Sequence, residues 1–301
     1  KQETKLCYTW KPRAQILTYE EITRMIRVAS SLGVNKVRIT GGEPLLRRNV
    51  ESLIESIVAL GTIDDLSLTS NGTHFPRLAK RLKEAGLSRI TLSLDSLDRE
   101  NFRKITGRDG LDDVLESIRL AKALGLTPVK VNAVIIRGLN DHEIGALAHF
   151  AVQENIVMRM IEFMPLDSGR AWQREHVVPG SEILERVQAE IPVAPLPAQH
   201  AAETASRWSL GDGQAELGII APVTQPFCGQ CNRIRLTADG HIRTCLFSVH
   251  EHDLKPSLRD DSGDDELVAE LQRIVWKKEP GHQIGQPGFV QPERSMSGIG
   301  G

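Results

Sequence analysis

The chain has 301 residues, 37 of them basic and 39 acidic, so its formal net charge is −2. This balance gives no bulk electrostatic reason to bind nucleic acid or an anionic membrane, and an aromatic content of 4% disfavours stacking on single-stranded nucleic acid. There is no apolar run of transmembrane length and no signal peptide at the start, so we expect a cytoplasmic protein.

β-rich runs alternate with amphipathic helical stretches through the first half of the chain. The βα alternation predicts the α/β class, with a parallel sheet or barrel covered by helices. The predicted strands are 37–40, 66–70, 90–95, 129–136, 157–164 and 215–220, and the predicted helices begin near Tyr19 and cover about 50–60, 77–85, 112–124 and 141–153.

Polar residues stand where the predicted strands end. In βα barrels the carboxyl ends of the strands carry the active site, although each such residue taken alone is as consistent with a helix cap or a turn. The residues are Thr40 to Glu43, Thr69, Ser93, Lys130 to Asn132 and Glu162.

The segment Gly41-Gly42-Glu43-Pro44 follows the first predicted strand. Two glycines let the backbone approach a ligand closely, and Pro44 biases Glu43 towards an extended conformation. The Glu43 carboxylate could accept hydrogen bonds from an ammonium group. Arg38, on the strand itself, is predicted to point into a barrel interior, where a charge needs a partner.

The regular alternation ends near residue 165. Prolines punctuate the following stretch, and we predict a domain boundary near residue 200, between 1–200 and 201–301. The glycine-rich end, SMSGIGG, is either a disordered terminus or a flexible segment that threads into a site.

Three of the four cysteines form the pattern C-x2-C-x13-C: Cys228, Cys231 and Cys245. Thiolates select zinc or iron–sulfur clusters, and three ligands leave a fourth position open. Spacing alone leaves three alternatives open: a structural zinc site completed by His241 or His250, an iron–sulfur cluster, or no metal at all. The spacing also favours a reducing compartment over a disulfide framework.

Two arginines lie just after the second of these cysteines. Arg233 and Arg235 are two residues apart, so they share a face if the stretch is a strand. Paired guanidinium groups beside an open metal site suit a phosphate-bearing ligand.

Taken together, these segments resemble the molybdenum cofactor biosynthesis protein A family of radical S-adenosylmethionine enzymes. The similarity covers nearly the whole chain, in order. The segments that carry it are RITGGEPLLRR (38–48), LTSNG (68–72), ITLSLDSLD (90–98), VKVNAVIIRGLND (129–141), MRMIEFMPL (158–166), CGQCNRIRLTADGHIRTCLF (228–247) and the terminal Gly300-Gly301.

The resemblance implies an activity, a fold and a set of site residues. Such lyases use one [4Fe–4S] cluster to cleave S-adenosylmethionine, and the resulting radical takes hydrogen from C3′ of GTP before that carbon attacks guanine C8. The implied fold is an incomplete TIM-type (βα)6 barrel, lacking its first strand here, followed by a C-terminal iron–sulfur module. The implied cofactor-binding residues are Gly42, Glu43, Thr69, Ser93 and Met164; the GTP-binding residues are Arg38, Lys130, Arg159, Arg233 and Arg235; and the ligands of a second [4Fe–4S] cluster are Cys228, Cys231 and Cys245.

The N-terminal cysteine pattern departs from the family. The family carries C-x3-C-x2-C, of which Cys7 matches the last member while Thr4 occupies the middle position. Two hypotheses follow: this chain is an incomplete copy of a cyclase, or it is a non-catalytic GTP-binding paralogue that keeps only the auxiliary cluster. By resemblance the partners are GTP, an electron donor and a downstream cyclic pyranopterin monophosphate synthase; a homodimer remains one option.

Overall fold

The computed structural model describes residues 11–167 and 169–299. Its centre is an eight-stranded sheet with strand order β1-β2-β3-β4-β5-β8-β7-β6 once the strands are numbered along the chain. These strands are β1 (Lys36–Ile39), β2 (Asp65–Ser70), β3 (Arg89–Ser93), β4 (Lys130–Ile135), β5 (Val157–Glu162), β6 (Val193–Leu196), β7 (Ser206–Leu210) and β8 (Ala215–Ile220).

The sheet is parallel from β1 to β5 and on to β8, while β7 and β6 are antiparallel additions beyond β8. The helices that alternate with these strands, and those of the C-terminal part, are α1 (Tyr19–Ser31), α2 (Val50–Ala59), α3 (Phe75–Glu84), α4 (Arg99–Thr106), α5 (Leu111–Ala123), α6 (Ile144–Glu154), α7 (Gly180–Gln188), α8 (Lys255–Arg259), α9 (Asp264–Trp276) and α10 (Met296–Ile299).

Local sequence explains where the helices begin. Thr18 caps α1, since its hydroxyl accepts from the Glu21 N–H while the Glu21 carboxylate accepts from the Thr18 N–H. Asp98 caps α4 by accepting from the Asn101 N–H. Each helix from α2 to α7 then buries apolar residues against one face of the sheet.

The C-terminal part packs around α1. A second apolar cluster joins Met25 and Val28 of α1 to Leu267, Leu271 and Ile274 of α9. A small antiparallel sheet lies in the same part of the chain, made of β9 (Arg235–Leu236), β10 (His241–Arg243) and β11 (His252–Asp253).

The predicted α/β class is confirmed, and each of the first five predicted strands corresponds to a strand of the parallel part of the sheet. The predicted boundary near residue 200 falls between β6 and β7, two paired strands of the same sheet, and the division of the chain at that point stays a prediction. Cys7 and Gly300-Gly301 lie outside the described residues. In the part that is described, no helix has the length and apolar character needed to cross a membrane.

Candidate active site

One face of the parallel strands is polar. In β3 the fully buried core residues Ile90 and Leu92 alternate with Arg89, Thr91 and Ser93, which therefore point away from the helices. The polar face thus follows from a period-two pattern in which only every second residue belongs to the core.

The strand register aligns polar residues of neighbouring strands into rows. Ser93 of β3 pairs with Asn132 of β4, and Asn132 pairs with Arg159 of β5. One step back along the strands, Thr91 pairs with Lys130. Residues in register on parallel strands share a face, so these side chains converge on one surface.

Four cations lie on this polar face: Arg38, Arg89, Lys130 and Arg159. Arg89 is neutralised by Asp65, with its Nε 2.8 Å from Oδ1 and a terminal nitrogen 2.5 Å from Oδ2. Within residues 11–167 and 169–299, the other three have no carboxylate within the 4.0 Å of an ion pair. A face with three unneutralised cations is suited to a polyanion.

The cations depress one another's pKa values. Burial and then the charges of Arg159 and Arg89 lower the pKa of Lys130 to about 8, whereas the charge of Glu216 acts in the opposite direction and raises it. Burial and then the charge of Arg38 lower the pKa of Arg159 to about 10. This repulsion is relieved when an anion binds among them.

Two further arginines approach from the C-terminal part. Burial and then Arg233 lower the pKa of Arg235 to about 10, while the thiols of Cys245 and Cys231 act in the opposite direction. Arg233 also contributes to the lowered pKa of Arg38, after burial and Arg89, so the two groups of cations lie close together. The structure therefore brings the predicted GTP-binding residues to one region.

The three cysteines Cys228, Cys231 and Cys245 are reduced and half-buried. A terminal nitrogen of Arg233 donates to the Cys231 sulfur at 3.2 Å. Burial alone would raise the pKa of Cys231, but the N–H and the charge of Arg233, with Lys278, lower it. For Cys245 burial dominates and the pKa is raised, with further contributions from Glu279 and Cys228.

The three cysteines come from two segments of the chain, one before β9 and one after β10. Among the described residues, no three His, Cys, Asp or Glu side chains are placed to hold one metal ion. Thiolates are donors that zinc and iron–sulfur clusters both accept.

The GGEP loop is tied to the end of β2 by Glu43. Its Oε1 accepts from the Leu45 N–H and the Ser70 hydroxyl, both at 3.0 Å, and its Oε2 accepts from the Asn71 N–H at 2.7 Å. Both oxygens thus already serve the protein's own loops. The backbone at Gly42, which is exposed, is the part of the loop left to approach a ligand.

Two polar atoms on the polar face are buried without a partner. The Thr69 hydroxyl and the side-chain oxygen Oδ1 of Asn132 have no hydrogen-bond partner in the described part of the chain. Buried polar atoms are normally satisfied, and both of these lie on the face that carries the predicted cofactor-binding and GTP-binding residues. Thr69 is a predicted cofactor residue, whereas Asn132 was placed among the strand-end residues only.

The C-terminal segment crosses the same end of the sheet. A third apolar cluster contains the buried Ile299 of α10, and Met164, after β5, and Cys245 both pack against this cluster. The Met296 N–H donates to the Leu166 carbonyl at 2.9 Å. A Cβ built at Gly42 would lie 3.8 Å from the Ser297 carbonyl oxygen, so the tail reaches the GGEP loop.

Sequence reasoning missed two residues of this region. Arg89 lies at the start of β3, and its charge acts on Lys130 and Arg159. Asp95 follows Ser93, and burial raises the pKa of its carboxyl to about 6 although the Val134 N–H donates to it at 2.8 Å. Both continue the alternation R-x-T-x-S-x-D, which is the signal that could have found them.

Family models match almost the whole chain. The model described as Radical SAM superfamily matches residues 5–151, and the one described as Molybdenum Cofactor Synthesis C matches residues 156–284. The radical S-adenosylmethionine superfamily implies a [4Fe–4S] cluster and S-adenosylmethionine.

Several GTP 3′,8-cyclases are similar to this chain over at least four fifths of their own length. A GTP 3′,8-cyclase of Streptomyces coelicolor is 44% identical over 97% of this chain and 86% of its own length. The cyclase of Corynebacterium glutamicum is 43% identical over 97% of this chain and 80% of its own length. The cyclase of Mycobacterium marinum is 41% identical over 97% of this chain and 82% of its own length. A solved structure of Streptococcus suis SuiB with S-adenosylmethionine is 20% identical over 61% of this chain and 42% of its own, with a TM-score of 0.49. The identities with the cyclases show that this chain belongs to the GTP 3′,8-cyclase family of radical S-adenosylmethionine enzymes.

Proposed function

We propose that the protein converts GTP into (8S)-3′,8-cyclo-7,8-dihydroguanosine 5′-triphosphate, the first step of molybdenum cofactor biosynthesis. One observation carries the proposal beyond family membership: Arg38, Lys130 and Arg159 share a polar face and have no ion-pair partner in the described part of the chain, and Arg38 lies near Arg233. A triphosphate would neutralise these charges through charge-assisted hydrogen bonds.

The architecture proposed for this reaction is an incomplete (βα)6 barrel with the polar face inward, closed by the C-terminal part. The parallel order β1 to β5 supports the barrel. The charge of Arg233 acting on Arg38, and the packing of Met164 and Cys245 against the same apolar cluster, support closure by the cysteine-bearing part. GTP would lie between the strand cations and the arginines Arg233 and Arg235.

S-adenosylmethionine is proposed to bind at the GGEP loop and the neighbouring strand ends. Gly42 would meet its methionine group, with Glu43 holding the loop in place, and the unpartnered Thr69 hydroxyl would make a polar contact. Ser93 and Met164 complete the set. A reduced [4Fe–4S] cluster supplies the electron that cleaves the cofactor; Cys7 would be one of its ligands, and it lies outside the described residues.

The cysteines Cys228, Cys231 and Cys245 are proposed to hold the second [4Fe–4S] cluster, with one coordination position left open. Arg233 would serve both centres, because its guanidinium already donates to the Cys231 sulfur and belongs to the cation group. An electron donor and a downstream pyranopterin synthase remain the proposed partners, in the cytoplasm.

The phosphate proposal is tested by calorimetric titration of the chain with GTP, GMP and guanosine. Affinity should fall with each loss of phosphate. Lys130→Met and Arg159→Met should each weaken GTP binding roughly tenfold to a hundredfold and leave guanosine binding unchanged. Arg77→Met, an exposed residue of α3 on the other face of the sheet, is the control. Equal affinity for GTP and guanosine would contradict the proposal.

The cluster proposal is tested by iron, sulfide and zinc analysis after anaerobic reconstitution. About four irons per chain, lost in Cys231→Ser, would support the auxiliary cluster alone. About eight would mean that the N-terminal cluster also forms although Thr4 stands at the middle position of its motif. One zinc and no iron would refute the ligand assignment.

A further inference from the structure

The two segments that carry the cysteines are joined by one lysine. The Lys278 ammonium donates to the carbonyl oxygen of Arg233 at 3.0 Å and also to the carbonyl oxygen of Thr244. Arg233 lies two residues after Cys231, and Thr244 immediately precedes Cys245. These two segments flank the β9–β10 hairpin, in which Arg235 pairs with Arg243, so Lys278 adds a side-chain link just beyond the end of that strand pairing.

The neighbours of Lys278 contact the same segments. The Glu279 carboxylate accepts from the hydroxyl of Thr244, a residue 3% exposed, at 2.6 Å. A Cβ built at Gly281 would lie 3.1 Å from Cβ of Cys228 and 3.5 Å from its sulfur. Residues 278–281, which we name the brace, thus touch both cysteine-bearing segments.

The brace is held by a part of the protein that carries no cysteine. It follows α9 directly, and the Lys278 N–H donates to the Val275 carbonyl at 3.0 Å. Helix α9 is anchored through Leu271 and Ile274 in the apolar cluster it shares with α1. The same cluster includes Ile242, and Ile234 packs against it, so the brace projects from a core that α1 and α9 share with the β9–β10 hairpin.

Lys278 is also free of carboxylates. In residues 11–167 and 169–299, no Asp or Glu oxygen lies within 4.0 Å of its ammonium, so its hydrogen bonds go to the two carbonyls. A half-buried lysine used only for packing or surface charge would not need to reach two backbone oxygens from different segments.

We propose that Lys278 is a positioning residue that holds the Cys228–Cys231 segment and the Cys245 segment at the separation a four-iron cluster needs, before the cluster binds. The inference rests on the proposed auxiliary cluster for its purpose, but the bracing itself does not require the cluster. Groups that orient metal ligands without touching the metal typically change metal affinity by about 10- to 100-fold when they are removed.

The test compares Lys278→Met with Lys277→Met, because Lys277 is the exposed neighbour on the same turn. Hydrogen exchange is measured first on cluster-free protein. Lys278→Met should exchange at least tenfold faster in both 231–236 and 243–247, with α9 unchanged, and Lys278→Arg should recover part of the protection. Lys277→Met should match the unchanged chain. Equal protection in Lys278→Met and Lys277→Met would overturn the proposal.

The second readout is the rate at which reconstituted protein loses iron to a chelator. Lys278→Met should lose iron at least tenfold faster than Lys277→Met, and equal rates would overturn the link to the cluster. Thr244→Val keeps both Lys278 contacts but removes the hydroxyl bound by Glu279, so it should loosen only 243–247. If the unchanged chain takes up no iron, the cluster proposal fails, whereas the exchange result still decides whether Lys278 braces the two segments.

Discussion

Arg294 and Asp239 form a bidentate ion pair, which links the C-terminal segment to the turn between β9 and β10. The two terminal nitrogens of Arg294 lie 2.8 and 2.9 Å from the two carboxylate oxygens of Asp239, whose side chain is 5% exposed. Arg294 also pairs with Glu251 at 2.7 Å. The pair stands two residues before α10, which reaches the GGEP loop through Ser297.

Replacing Arg294 by Met should therefore free the C-terminal segment. The change removes two charge-assisted hydrogen bonds from a buried carboxylate, which then retains Lys11 and Thr237, and should cost roughly 2 kcal/mol of unfolding free energy. Hydrogen exchange should accelerate in 289–299 in particular. Arg273→Met, exposed on α9, should change neither quantity. Undiminished protection of 289–299 in Arg294→Met would contradict the anchoring role.

The lowered pKa of Lys130 predicts that this residue destabilises the empty protein. Its pKa falls from 10.5 to about 8, so between these values the unfolded chain binds more protons than the folded chain, and stability should rise with pH. Below pH 8 the folded protein keeps this lysine charged in an unfavourable place, which lowers the free energy of unfolding by about 3 kcal/mol. Lys130→Met should raise the free energy of unfolding at pH 7 by up to that amount.

Urea unfolding of the nucleotide-free chain at pH 7 and pH 9.5 measures this effect. In Lys130→Met the gain in stability between the two pH values should be smaller, and GTP binding should weaken. Lys104→Met, exposed on α4, should leave the pH dependence unchanged. A loss of stability at pH 7 in Lys130→Met would show that the ammonium is compensated in the empty site.

Most strands and helices of the first 160 residues could be predicted because their apolar periodicity is strong. Helix α4 could not, because its buried residue is Phe102 alone and it shows no apolar repeat. The edge strand β6 could not either, because Pro195 is a local signal of irregular chain. Proline lacks an N–H and is tolerated at the edge of a sheet, and β6 is the last strand at that edge, where Pro195 stands opposite Trp208. Local sequence does not state which strand will lie at an edge.

The site could be predicted in its residues but not in its internal contacts. Motifs identified Lys130 and Arg159 as candidates, whereas the role of Arg89 depends on the register that places it opposite Ser67 and beside Asp65. Glu43 was expected to face a ligand, yet its carboxylate is used by Leu45, Ser70 and Asn71. Such long-range pairings depend on tertiary packing, which no local pattern encodes.

Those three contacts give a graded prediction for Glu43. Glu43→Ala removes an ionised acceptor from two N–H groups and one hydroxyl, and should cost roughly 2–4 kcal/mol of unfolding free energy. Glu43→Gln keeps one carbonyl oxygen and should cost about half as much. Exchange of the loop amides at 45 and 71 should increase in the same order. If Glu43→Gln were as disruptive as Glu43→Ala, the carboxylate charge and not its geometry would be holding the loop.

The last prediction concerns the space that Gly218 leaves for Arg159. The two residues are in register on β8 and β5, and a Cβ at Gly218 would lie 3.3 Å from Cγ of Arg159 and 3.2 Å from the Ala205 methyl. Gly218→Ala should push the arginine side chain from its place on the polar face and cost about 1–3 kcal/mol of stability through overpacking.

Because the guanidinium would no longer lie beside Lys130, GTP affinity should fall roughly tenfold, which is about 1.4 kcal/mol of binding free energy. Guanosine affinity should not change, since the displaced group serves the phosphates. Gly263→Ala is the control, because a methyl there meets nothing within 4 Å. Calorimetric titration of both variants with GTP and guanosine measures these affinities. An equal loss of affinity for the two ligands in Gly218→Ala would mean that the whole site is distorted and that the effect does not act through Arg159 alone.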